Sequence, residues 1–247
     1  VRKVDLDELG GFDENYTEWG LEDDDLAYRY QLRGRKMIFS NLAWSYHMSH
    51  PVMTTNNITS WRRNRGYFFR KFSTRELELF TVYTGHMKIG FDEIQFHLDV
   101  FPKDAAHEKH IEKIAAALPK RQGKRLGIYM HKEEDALRLD LTHCFIPFKP
   151  MNTQKYTAFH CTFWGLMGFV TPFEKQEFDE IIIPADTVMF LDDFLIKILM
   201  TECARISKKA ILFYGDLTKE PAYQYLVDTL NWIADCTKFV QLERVIL

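Results

Sequence analysis

Gly10-Gly11-Phe12-Asp13-Glu14-Asn15-Tyr16-Thr17-Glu18-Trp19-Gly20-Leu21-Glu22-Asp23-Asp24-Asp25 places an indole and a cluster of carboxylates in one short stretch that leads into a helix. A Trp face packs on the apolar face of a pyranose, and neighbouring carboxylates accept hydrogen bonds from its hydroxyls. One carboxylate can also take the proton of an attacking hydroxyl. Gly10 and Gly11 permit a tight turn, Phe12 is expected to anchor it from beneath, and Asp23 or Asp24 is expected to cap the helix that follows. In that helix Leu26 and Tyr30 lie one turn apart, acids open the run, arginines close it, and Gly34 stops it. Carboxylates held by helix N-terminal amides stay ionised, as a base requires. The plainer account of the same acids is capping and solvation of a helix end, which spacing by itself favours; the Trp and the glycines shift the balance.

Taken together, Gly10 to Gly34 resemble the acceptor-side motif of GT-A-fold glycosyltransferases, in particular the galactosyltransferase C-terminal segment with its Gly-Gly-Phe-Asp-Glu and Trp-Gly-x-Glu-Asp-Asp-Asp pattern. The resemblance implies that Trp19 and Gly20 line an acceptor pocket, that Glu22 and Asp24 hold acceptor hydroxyls, and that Asp23 is the catalytic base. Where this chain has Leu21 the family often has a second Gly, so loop freedom and acceptor identity depart from the pattern there. Ala43-Trp44-Ser45-Tyr46-His47-Met48-Ser49-His50-Pro51 resembles the family's His-bearing segment, which makes His47, then His50, the expected metal ligand. A histidine at a strand end is otherwise more often simply packed. The implied cofactor is a divalent ion, Mn or Mg, which suits carboxylate and imidazole donors and neutralises a diphosphate. The implied partners are a nucleotide-sugar donor and a saccharide acceptor.

In the family the donor is held by an N-terminal βαβ region carrying Asp-x-Asp. Only nine residues precede Gly10, and Asp5-Leu6-Asp7 fits the letters without a preceding buried strand. The chain thus reads as the C-terminal part of a GT-A fold, incomplete for transfer as it stands, over residues 1–76. It is followed over 77–247 by a smaller three-layer α/β domain of unrecognised role.

The basic aromatic run from Ser60 to Phe72 reads as a helix. Its cations, Arg62, Arg63, Arg65, Arg70 and Lys71, are read as a solvated face rather than a diphosphate site. Beyond it come a strand over 94–101, a helix over 104–118, a polar turn over 119–124 without phosphate-loop chemistry, and a strand over 125–130. Glu180 to Ile183 and Ala210 to Tyr214 read as buried strands, and 192–206 and 220–234 as helices. Phe178 to Asp186 with Asp192 to Leu195 is faintly similar to the later half of class I methyltransferases. No Gly-rich cofactor loop precedes it, so a structural, acceptor-binding or oligomerising role is the expectation. His107 and His110, with Glu108 and Glu112, read as a solvated helix face rather than ligands, and His97 with Asp99 is no more persuasive. Phe159 to Leu166 reads as core. A non-catalytic α/β binding or assembly module is the competing account of the whole.

Composition limits the remaining options. Hydrophobic residues make up 46% of 247, enough for a core, and a net charge of -3 gives no general attraction to nucleic acid or anionic lipid. No apolar run is long enough to span a bilayer. Cys144, Cys161, Cys203 and Cys236 are widely spaced, so buried thiols and a cytoplasmic setting are expected.

Overall fold

The computed structural model describes residues 2–36, 38, 40–46, 48, 55–83, 98, 105–148, 155–184, 191–214 and 241–246. The chain divides into two compact units, Val1–Lys71 and Phe72–Leu247. The second, expected as the smaller domain, is the larger.

The regular elements of the first unit, among its described residues, are helices. Helix α1 is Lys3–Leu9, α2 is Glu22–Leu32 and α3 is Thr55–Lys71. Gly10 closes α1 in the left-handed region, at φ 74, where its backbone N–H returns to the carbonyls of Leu6 and Asp7. Asp5-Leu6-Asp7 therefore lies in a helix, and both carboxylates are spent on ion pairs: Asp5 with Arg2 and Arg35, Asp7 with Lys3.

The second unit is built on a sheet of seven strands in the order β3-β4-β2-β1-β5-β6-β7. The strands are β1 Arg125–Gly127, β2 His143–Phe145, β3 Lys155–Ala158, β4 Cys161–Trp164, β5 Glu180–Pro184, β6 Lys209–Tyr214 and β7 Gln241–Ile246. All neighbouring pairs are parallel except β3 with β4. Leu126 of β1 registers with His143 on one side and Ile181 on the other, which puts a strand of three residues at the centre. Central parallel strands are covered on both faces, so Glu180-Ile-Ile-Ile-Pro reads as a near-continuous apolar run. The helices are α4 Arg75–Tyr83, α5 Ala105–Ala117, α6 Glu133–Arg138 and α7 Asp193–Ile206. Asp192 caps α7, its side chain accepting from the Leu195 N–H at 2.8 Å.

Ile111 and Ile114 of α5 and Ala136 of α6 cluster with Cys144, Phe163 and Ile182 on one face of the sheet. The opposite face carries Phe145 stacked on Phe173, with Trp164 and Phe178 edge-on to the same ring. Phe163 and Trp164 are thus core, whereas Phe159 is exposed. A side chain at Gly127 would force Leu141 to move, because an added Cβ would lie 2.3 Å from Leu141 Cδ1. Cys144, Cys161 and Cys203 are free and buried.

His107 and His110, read as solvated, are both buried. His107 Nε2 lies 3.2 Å from Asp135 Oδ2, and its ring stacks on His131 with centroids 3.5 Å apart, just past the end of β1. Burial and the neighbouring His107 push His131 down to about 3, so it is neutral. The α5 face that looks polar in sequence is a packing face, because a carboxylate from α6 meets it. The strand expected over 94–101 lies outside the described residues save Leu98, which is helical and buried, as do His97, Asp99, Cys236 and the helix over 220–234. No helix among the described residues is long and apolar enough to cross a membrane.

Glu78 of α4 is fully buried and accepts from the backbone N–H groups of Met167, at 2.5 Å, and Val170, at 2.8 Å. Burial pushes its carboxyl up to about 8 despite these bonds. An unfolded Glu titrates near about 4.3. Between the two values the folded chain holds a proton that the unfolded chain lacks, so stability falls as pH rises through that window and levels off above it. We expect urea midpoints to drop between about pH 5 and about pH 8, with a slope of up to about 1.4 kcal/mol per unit, and Glu78→Gln to flatten that slope. An unchanged slope in the variant would rule Glu78 out as its source.

Candidate functional site

The acidic loop is shaped from behind by one face of α3. Ser60, Arg63, Asn64, Tyr67 and Lys71 follow helical spacing and all reach residues 13–25. Asn64 Nδ2 donates to three carbonyls, those of Thr17, Trp19 and Gly20, at 3.2, 3.3 and 3.0 Å. Arg63 donates to the Thr17 carbonyl at 2.7 Å and pairs with Glu18, which also accepts from the Ser60 hydroxyl. Trp61 lies under Gly20, where an added Cβ would be 3.0 Å from its Cδ1, and the Arg65 guanidinium lies over the Trp61 ring, 4.7 Å from its centroid. The basic helix is therefore not merely solvated: two of its five cations grip the loop or its anchor, and a third is half-buried beneath it.

That third cation is Lys71. Its ammonium donates to Asp13 Oδ2 at 2.5 Å and to Asp25 Oδ2 at 2.6 Å. Asp25, with a side chain 0% exposed, also accepts from Arg29 at 2.5 Å and from the Tyr16 hydroxyl at 3.1 Å. Arg29 in turn donates to the carbonyls of Leu9 and Gly11, so α2 is fastened to the turn that follows α1. Partial burial pushes the Asp13 carboxyl up, but hydrogen bonds from Lys71, Asn15 and Tyr67 hold it far below the usual carboxylate range. Sequence spacing gave no hint of this network. The one available signal was that Asp13 and Asp25 bracket the motif while Lys71 ends an apolar-faced helix.

The loop's backbone departs from expectation at its helix junction. The residue before α2 is Leu21, at φ 73 and ψ 0, and no side chain caps the helix. Asp23 and Asp24 lie inside the first turn, and Asp23 accepts from the Asp24 N–H at 3.0 Å. Leu21 thus holds a left-handed conformation that favours Gly, and its burial offsets that strain. Glu18, at φ 67, and Gly20, at φ 104, share the region.

Trp19 is 41% exposed. Glu22 Oε2 is buried without a hydrogen-bond partner among the described residues. Burial, with Asp23 and Glu22 alongside, raises the Asp24 carboxyl. At Asp24, burial and then the neighbouring carboxylates work against the ionising effect expected of helix amides.

Asp23 faces a different way. With Tyr30, one face further along α2, it lines a cleft of about 790 Å³ together with Phe12, Arg2, Arg35 and Lys36. Phe12 is exposed on this cleft rather than anchoring the turn from beneath. Trp19, Gly20, Glu22 and Asp24 are not part of that lining. The described residues thus bring Asp23 together with cations and rings that the sequence reading had not assigned. His47 and His50 lie outside the described residues; of their segment, Trp44 and Tyr46 are exposed and meet edge-on at 5.3 Å. Among the described residues no three His, Cys, Asp or Glu side chains are grouped as a metal site.

Residues 1–51 match a family model described as the N-terminal domain of galactosyltransferase, where the motif reading had taken them as a C-terminal portion. Two curated relatives are similar. The validoxylamine A glucosyltransferase of Streptomyces hygroscopicus subsp. jinggangensis (strain 5008) is 26% identical over 203 residues, covering 73% of this chain and 45% of that one. Its counterpart from subsp. limoneus is 26% identical over 203 residues, covering 73% and 42%. The chain spans less than half the length of either. A match over 73% of the chain continues past residue 76, where the motif resemblance ends. Among solved structures, a SAM-dependent methyltransferase from Thermotoga maritima aligns at TM-score 0.33 and 15% identity, over 68% of this chain and 75% of that one. That score is too low to equate the folds. The sequence similarities support a glycosyltransferase in general.

Removing the Lys71 ammonium leaves buried Asp25 with Arg29 as its remaining cation and Asp13 with no cation, a change that costs about 1–3 kcal/mol. Lys71→Met is expected to lower the urea midpoint accordingly, and adding Asp13→Asn and Asp25→Asn is expected to recover part of the loss. If Lys71→Met alone leaves the midpoint unchanged, the network does not hold the loop.

Proposed function

We propose that this chain carries the acceptor side of a nucleotide-sugar-dependent glycosyltransferase, transferring a sugar to a hydroxyl of a saccharide acceptor. The observation that carries the proposal is the Gly10 to Asp25 motif, matched by the family model over residues 1–51, with Asp23 opening into a cleft that α1 and α2 line.

In this reading the acceptor hydroxyl attacks the anomeric carbon of the donor, and its proton passes to an Asp23 carboxylate oxygen as the bond forms. Trp19, which lies outside the cleft that Asp23 lines, supplies a second face for an acceptor of more than one sugar ring, and Gly20 lets that outer ring approach the backbone. Glu22, with one buried carboxylate oxygen left without a partner among the described residues, accepts from an acceptor hydroxyl, a bond that relieves its desolvation. Asp24 accepts from a further acceptor hydroxyl. A divalent ion, Mn or Mg, when bound would stabilise the departing nucleotide diphosphate, and His47 with His50 would be its ligands. The described residues assemble no donor set for it, so no step here depends on it.

Calorimetry of the full chain, and of a chain extended at its N-terminus, against nucleotide-galactose and nucleotide-glucose with manganese tests the donor. Product analysis with validoxylamine A among the acceptors tests transfer. Heat from neither chain would sink the proposal. Where turnover is found, Asp23→Asn should lower it by about 100-fold or more, with donor affinity unchanged. A variant of undiminished rate would refute Asp23 as base.

A further inference from the structure

The cleft lined by Asp23 carries chemistry that a neutral sugar would not use. Arg2 and Arg35 converge on Asp5, at 2.7 and 2.9 Å. Two guanidinium groups share one carboxylate, so the trio stays cationic. Lys36 lines the same cleft and has no ion pair among the described residues. Tyr30 is 8% exposed, and its hydroxyl is buried with no hydrogen-bond partner among the described residues. A hydroxyl that has lost water and found no partner is a standing cost, which a polar ligand removes on binding. Phe12, exposed on the cleft, offers a ring face to the apolar side of a pyranose.

We infer that this cleft selects an acidic saccharide as acceptor. Its carboxylate or phosphate lies against Arg35 and Lys36, its ring lies on Phe12, one hydroxyl meets Tyr30, and the reacting hydroxyl meets Asp23. The inference rests on the reading of Asp23 as base, and that reading also decides the occupant. In a direct displacement the deprotonated hydroxyl approaches the anomeric carbon opposite the leaving group. The cations beside Asp23 therefore serve the acceptor, not the nucleotide diphosphate. Guanidinium and ammonium groups recognise carboxylate and phosphate alike, so the two sources are separated by experiment.

The test is titration of the full chain, followed by calorimetry, with a methyl glucoside, the matching methyl glucuronide and the matching phosphorylated glucoside. Inorganic phosphate and a free nucleoside diphosphate are the competitors. The expected result is at least about tenfold tighter binding of one or both acidic sugars, weakening as salt is added. Whichever acid wins identifies the source of the charge. Lys36→Ala, a change at an exposed position, should remove most of that preference while leaving the neutral glucoside unaffected. Tyr30→Phe should weaken the acidic sugar about fivefold without lowering the melting temperature, an outcome that a purely structural tyrosine would not produce. Equal affinity for neutral and acidic sugars overturns the inference and leaves the transferase reading standing. Displacement by the nucleoside diphosphate overturns it by making the cleft a donor site. Inorganic phosphate binding as tightly as the phosphorylated glucoside, with no glucuronide affinity, overturns it as anion capture alone. No affinity for any sugar overturns both this inference and Asp23 as an acceptor base.

Discussion

Lys71 donates to Asp13 and Asp25 across 2.5 and 2.6 Å, and the first unit's geometry depends on that shared ammonium. A carboxylate with no exposed surface is tolerable only when cations and hydroxyls surround it, and Asp25 has Lys71, Arg29 and Tyr16. These contacts join the end of α3 to the start of α2 and, through Arg29, to the turn after α1. The acids that face outward, Asp23 above all, are positioned because their neighbour Asp25 is anchored inward. One short acidic run thus does two jobs, split by helical periodicity: Asp25 turns to the network while Asp23 and Tyr30 turn to the cleft.

The same division of polar residues between packing and exposure runs through the second unit. His107, Asp135 and His131 form a buried cluster beyond β1, and Glu78 buries a carboxyl against backbone amides. Around them the sheet supplies the order. Leaving β1, the chain moves outward through β2 to the edge strand β3, turns back to β4 and then crosses to the other side of β1 at β5. Such a reversal is what opens a crevice at strand ends in parallel sheets.

Several elements were legible in sequence because local chemistry decides them. The run Glu180 to Ile183 is a strand since no helix face could use three consecutive β-branched residues so economically. Asp192 caps α7 because its carboxylate meets the Leu195 N–H without help from elsewhere. Other readings failed where a distant partner intervened. The solvated basic helix became the loop's support because Asp13, Thr17 and Glu18 face it from more than forty residues away. His107 looked exposed until α6 brought Asp135 against it.

The sequence by itself determined the glycosyltransferase-like motif, the strands β1, β5 and β6 and the helices α2, α3, α5 and α7, since these follow from residue type and local spacing, whereas α1, α4, α6 and the strands β2, β3, β4 and β7 are not legible in it. Only the tertiary structure decided which acids are buried supports and which face a cleft, and that Leu21, not an aspartate, stands before α2. Burial and ion pairing are properties of what a side chain meets. What Asp25 and Asp23 meet is set by residues far along the chain, which no spacing within the motif can encode.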